Sequence, residues 1–205
     1  MDKKRGLYII LLFIAVSTIL LWIAPAEQTL GKLIKLIYVH MAMSYISLYT
    51  FYAAAALGAV HMATSQVAFG LWSRELGWSA LILWFVSFLL SLVSMQVIWG
   101  GLVWREPMTI AAVTILILGI GKEVVCRGGT LKLRSAANIV FAAAILVIRS
   151  NSGRLMHPDN PIRGSDSVLI RILPVILLVL AMAALFEFTR WRLRNVQKSE
   201  TVKNP

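Results

Sequence analysis

The chain has 205 residues, 59% of them apolar and only 14% charged, with a mean hydropathy of +0.80. Soluble domains carry about a quarter charged residues, so this composition excludes a water-soluble protein. The single cysteine, Cys126, excludes an internal disulfide framework and a cysteine-built zinc or iron–sulfur centre, and the +11 charge belongs with the ends of apolar segments rather than with nucleic acid.

A helix needs about 20 mostly apolar residues to cross the hydrocarbon core. Runs free of Asp, Glu, Lys and Arg cover 6–26, 36–73, 76–104, 107–121, 135–148 and 172–186. The last three lengthen when Lys122, Lys132, Arg134 and Arg171 extend their charged ends toward the interface. The pattern predicts an all-α polytopic membrane protein with helices near 6–24, 33–61, 77–98, 108–126, 132–149 and 168–189. With the N-terminus inside, thirteen of the 20 Lys and Arg residues fall on the cytoplasmic side, including the run Arg190, Arg192, Arg194, Lys198 and Lys203. Both termini are therefore expected in the cytoplasm. Ala24-Pro25-Ala26 imitates a signal-cleavage site, but the apolar run 7–24 is long for a signal peptide, and a retained first helix is expected. Residues 1–190 read as one six-helix domain with outer loops at 99–109 and 150–167, and 191–205 as a basic cytoplasmic tail that orients the last helix.

Three features share the outer side in this topology. His40 lies within helix 2, in Ile34-Lys35-Leu36-Ile37-Tyr38-Val39-His40. The loop after helix 3 runs Trp99-Gly100-Gly101-Leu102-Val103-Trp104-Arg105-Glu106-Pro107-Met108-Thr109, and the loop before helix 6 holds Arg154-Leu155-Met156-His157-Pro158. A titratable side chain inside a membrane helix is a functional candidate because burying it is costly. Two imidazoles are too few for a dedicated zinc site, but they are enough for the two axial positions of a haem iron. Trp99 and Trp104 offer flat apolar faces, with Tyr38 and Met43 as further wall residues. Arg105, Arg149, Arg154, Lys32 and Lys35 are cations suited to propionate carboxylates. Plainer readings stand beside these: a buried histidine bonded to a neighbouring helix for His40, a solvated one for His157, and an aromatic belt for the tryptophans. His61 and Cys126 read as structural.

Leu36-Ile37-Tyr38-Val39-His40-Met41-Ala42 resembles the Ile-Ile-Tyr-Leu-His-Val-Pro-Ala segment of the cytochrome c maturation protein C family, also called haem exporter protein C. The likeness continues through the alanine-rich stretch 53–60. Trp99-Gly100, Trp104 and Thr109 align with that family's tryptophan-rich segment, and Leu155-Met156-His157-Pro158 with its Thr-Leu-His-Gln. The chain looks like a diverged member: Leu102-Val103 replaces a tryptophan pair, and Gly153-Arg154 replaces aromatic residues.

The resemblance implies haem b held at the outer face of a bacterial inner membrane, with His40 and His157 as axial ligands. Trp99, Gly100, Trp104 and Thr109 would form the platform. It also implies a haem-delivery subunit rather than an enzyme, working with the ATPase and permease subunits of an ABC transporter. A small single-span protein and a haem chaperone complete the expected set of partners. The competing readings are a haem-free membrane subunit or docking partner of an ABC transporter complex, and a small-solute permease. Only Pro174 and the Gly119/Gly121 pair hint at a broken transport helix.

Overall fold

The computed structural model describes residues 3–153, 162 and 165–203. Six helices follow in order: α1 Lys3–Ile23, α2 Ile34–Thr64, α3 Val67–Trp99, α4 Pro107–Val125, α5 Leu131–Ser150 and α6 Val168–Lys203. All six are long and apolar enough to cross a membrane. Helices meet that demand because each N–H finds its carbonyl within the same segment, where no water is available to bond it. Among the described residues the only β-type pairing is the isolated bridge Glu27↔Gly31, in the loop between α1 and α2.

The breaks between helices are set locally. Ser65 ends α2 in the left-handed conformation at φ 56°, with its N–H donating to the His61 carbonyl. Gly100 ends α3 in the same way at φ 73°, a conformation glycine adopts without steric cost. Glu106 then caps α4 by accepting from the Met108 N–H at 3.0 Å, with Pro107 in the first turn. Thr130 caps α5 by accepting from the Leu133 N–H at 3.2 Å.

Two boundaries differ from the sequence-based expectation. α3 begins at Val67 rather than near 77, because the charges that look like a loop are held inside the helix. Glu75 is buried and accepts from Arg74 at 2.9 Å and from Arg192 of α6 at 2.8 Å. α6 runs on as helix to Lys203, through most of the segment expected to be a separate tail.

The α2–α3 hairpin is the centre of the bundle, with α5 against both of its helices, α4 against α3 and α5, and α6 against α2 and α3. Phe51, Leu81, Trp84, Ile115, Phe141 and Ile145 form the main core, and the Phe51 and Phe141 rings meet edge to face at 5.0 Å. A second cluster joins Ala24 with Ile34, Tyr38 and Ala42 of α2 and Leu173 and Leu177 of α6. Small residues let the backbones approach, as is usual where lipid supplies no hydrophobic drive between helices. A Cβ on Gly58 would lie 2.9 Å from the Ser135 carbonyl oxygen, so α2 and α5 touch there. α1 packs along α6, and only 6% of the residues of its span are fully buried.

The chain reverses at every connection. One end of the bundle gathers the start of α2, the end of α3, the start of α4 and the end of α5. The opposite end gathers His61, the Glu75–Arg192 pair and a second ionic cluster. There Glu123 is paired with Lys122 at 2.6 Å and Arg134 at 3.2 Å, and Lys122 also donates to Asn138.

Candidate functional site

At the first of these ends a cavity of about 270 Å³ opens between α2, α3 and α4. His40, Met41 and Ser44 come from α2, Trp84, Ser87, Phe88, Met95 and Trp99 from α3, Met108 and Thr109 from α4, and Arg149 from the last turn of α5. Leu30 and Ile162 reach it from the adjoining connections. Its walls are chiefly aromatic and aliphatic, with a few convergent polar groups, which is the usual character of a small-molecule site.

The histidine is held by a chain of hydrogen bonds to α3. His40 Nδ1 lies 3.1 Å from the Ser87 carbonyl oxygen and 3.3 Å from the Ser87 hydroxyl. A carbonyl only accepts, so Nδ1 carries a proton and donates to it. The Ser87 hydroxyl also lies within 3.3 Å of the His40 carbonyl, to which it can donate, and it shares a hydrogen bond of 2.6 Å with the Ser44 hydroxyl. Metal-ligating imidazoles are commonly oriented in this way, through one nitrogen tied to a carbonyl. The sequence reading of His40 as a histidine bonded to a neighbouring helix is met by these contacts with α3.

The other expected site residues divide into three groups. Trp99 and Thr109 line the cavity with His40, Thr109 being buried with its hydroxyl 3.9 Å from the Met95 sulfur. Gly100, Trp104 and Arg105 do not line it; they sit in the exposed turn between α3 and α4, and Trp104 is 53% exposed. The left-handed turn at Gly100 carries the chain outward before Glu106 and Pro107 start α4. His157 and Arg154 lie outside the described residues.

Among the described residues, Arg149 alone of the expected cations borders the cavity, and it has no carboxylate partner there. Lys35 is drawn away to the Trp22 carbonyl at 2.9 Å. Tyr38 is fully buried in the second core cluster, and Met43 does not reach the cavity; Met41 and Met95 supply its thioethers instead. His61 is at the far end, buried, with Nδ1 2.8 Å from the Gln66 carbonyl and its ring against Gly70. That placement agrees with a structural role.

Sequence reasoning passed over the serines. Ser87, Ser91 and Ser94 recur at helical spacing on one face of an otherwise apolar α3, and all three line the cavity. That periodicity was the available signal, since a polar stripe on a membrane helix faces a cavity or a partner rather than lipid.

Outside the spans, Glu27 governs the loop that carries Leu30 to the cavity. Its carboxylate accepts from the Leu30 N–H at 2.8 Å and the Thr29 N–H at 2.9 Å. These bonds, the one from Leu30 foremost, hold its carboxyl below the ordinary carboxylate value.

The described part of the site has groups that a haem would use. The imidazole is fixed through Nδ1, and imidazole is a common iron ligand. The flat apolar walls suit a porphyrin, and Arg149 suits a propionate. No model of a known protein family matches the chain, and no curated protein matches it.

Proposed function

We propose that this membrane protein holds haem b as cargo at the outer face of a bacterial cytoplasmic membrane and presents it to a haem chaperone during cytochrome c maturation. The observation that carries the reading is His40. It is a histidine placed within a membrane helix, fixed through Nδ1 to the Ser87 carbonyl, and lining an apolar cavity with Trp99 and Arg149. The resemblance of the segments around His40, Trp99 and His157 to haem exporter protein C supports it from the sequence side.

In this reading the chain contributes binding and orientation. Iron porphyrin, when bound, supplies the redox and covalent chemistry that a later acceptor uses. His40 and His157 would be the residues that hold the iron, as the resemblance implies. Arg149 pairs with a propionate through its planar guanidinium. Trp84, Phe88 and Met95 keep water from the inner wall. In this reading the chain would hold and orient haem for an acceptor rather than catalyse a reaction. The ATPase and permease subunits of an ABC transporter supply energy, with a small single-span protein bridging to the chaperone.

Titration of the purified full chain with haem tests this directly. The wild type is expected to develop a Soret band at a defined stoichiometry. His40→Ala should weaken binding by tenfold or more, and Arg149→Gln should weaken it while leaving the band position unchanged. A haem-free docking subunit predicts instead no saturable band in the wild type and no functional effect of His40→Ala.

A further inference from the structure

A second cleft, of about 190 Å³, lies at the opposite end of the bundle from His40. It is formed by Ala68, Leu71 and Trp72 from the first turns of α3 and by Arg190, Leu193 and Arg194 from α6. Neither the haem reading nor the ionic clusters at that end make use of it.

The face of α6 that leads into the cleft is organised as a lipid-shaped track. Val175, Val179, Met182 and Phe186 recur at spacings of three and four, so they lie along one side of the helix. They are 57%, 53%, 56% and 50% exposed. Arg190 and Arg194 continue the same line at the next two positions. From Val175 to Phe186 a helix rises about 16 Å, close to the roughly 15 Å half-thickness of a hydrocarbon core. The two guanidinium groups therefore stand at headgroup depth directly beyond an apolar strip as long as one acyl chain in its leaflet.

The headgroup end is also ordered. Trp72 stacks on Phe186 with ring centroids 5.7 Å apart, closing the wall between α3 and α6. The Arg190 guanidinium lies 5.6 Å from the Phe186 ring centroid and donates to Glu187 at 2.7 Å. That ion pair occupies one of its N–H groups and leaves the rest of a planar fork. Arg194 has no carboxylate partner among the described residues. Two guanidinium groups against one carboxylate leave a local surplus of one positive charge beside a phosphate-sized cleft. Guanidinium is well matched to phosphate oxygens, and basic pockets between membrane helices favour anionic headgroups.

We infer that the cleft between α3 and α6 binds the phosphate of one anionic glycerophospholipid, with an acyl chain along Val175, Val179, Met182 and Phe186. The site stands independently of haem. Its role is to fix a lipid of the inner leaflet at the seam where α6 leaves the membrane.

Native mass spectrometry of the detergent-purified full chain, given equal amounts of phosphatidylglycerol and phosphatidylcholine with matched acyl chains, tests the assignment. The wild type should retain one phosphatidylglycerol in preference to phosphatidylcholine by about fivefold or more. Arg194→Gln, which breaks no ion pair among the described residues, should cut the preference by at least half, and the Arg190→Gln/Arg194→Gln double variant should abolish it. Arg127→Gln/Lys132→Gln, which removes the same charge elsewhere at that end of the bundle, should leave it intact. Millimolar inorganic phosphate should fail to displace the lipid. Three results would each overturn the inference: an unchanged preference in Arg194→Gln, an equal loss in the Arg127/Lys132 control, or displacement by inorganic phosphate alone.

Discussion

The imidazole of His40 sits where three hydrogen-bonding groups of the α2–α3 seam meet, and its proton position follows from them. The Ser87 carbonyl requires N–H on Nδ1, and the Ser87 and Ser44 hydroxyls complete the chain. Removing the Ser87 hydroxyl leaves the carbonyl in place, so Ser87→Ala should loosen the ring without changing its tautomer. Partners of this kind are worth about tenfold in metal affinity at the low end of their range. Ser87→Ala is accordingly expected to weaken haem binding by about tenfold while keeping the Soret position, whereas His40→Ala alters both. Haem titration of the two variants side by side distinguishes positioning from ligation.

Glu27 gives a pH dependence with a definite sign. Backbone N–H groups of Leu30 and Thr29 favour its ionised form, so its folded pKa lies below the unfolded value of about 4.3. The contribution of these bonds is present above that unfolded value and is lost as pH falls through the lowered folded pKa. Carbon-13 NMR of the Glu27 carboxyl should show a midpoint below that of an unstructured glutamate. Glu27→Gln should remove the transition and leave the Leu30 loop insensitive to acid; a midpoint at or above the ordinary value would contradict the bonding described.

At the scale of the helices, the buried ion pairs decide where elements begin and how they are tied. Glu75 carries α3 back to Val67 and clamps α6 through Arg192. Withdrawing one partner from a buried pair leaves uncompensated charge and costs about 3–5 kcal/mol; with Arg192 partly exposed, the lower part of that range applies. Glu75→Gln should therefore lower the thermal unfolding midpoint clearly, while Glu187→Gln, at a more exposed pair, should change stability by about 1 kcal/mol or less. Gly58→Ala places a methyl against the Ser135 carbonyl, where backbone cannot step aside. Overpacking of about 1–3 kcal/mol is expected. Thermal unfolding in detergent measures all three.

The same contacts explain what the sequence could disclose about the helices. The six spans were legible because charge-free apolar length is a one-dimensional property. The start of α3 was not, since Arg74 and Glu75 resemble a loop until Arg192, far along the chain, is brought to Glu75. His40 stood out as a titratable group within a span, but Met95 and Phe88 are indistinguishable from lipid-facing residues until α2 and α4 close against α3. Trp104 shows the converse: the motif points to it, yet the turn at Gly100 directs it outward and leaves the cavity wall to Trp84 and Trp99.

For the molecule as a whole, the bundle is polarised. The His40 cavity occupies one end, and the Glu75 and Glu123 clusters with the basic run of α6 occupy the other. From the distribution of Lys and Arg, the latter end is expected in the cytoplasm. In a Cys126→Ser background, Leu102→Cys and Lys132→Cys should react with an impermeant thiol reagent from opposite sides of the membrane, Leu102→Cys from outside. Labelling of both from one side would contradict the six-span topology.

The central claim is that the His40 imidazole is itself a ligand to haem iron, and chemical rescue tests it most directly. The haem-loaded His40→Gly chain should have a shifted and weakened Soret band, and added imidazole, entering the space left by the side chain, should restore the wild-type spectrum. A His40→Gly chain that binds haem with the wild-type spectrum in the absence of imidazole would contradict it.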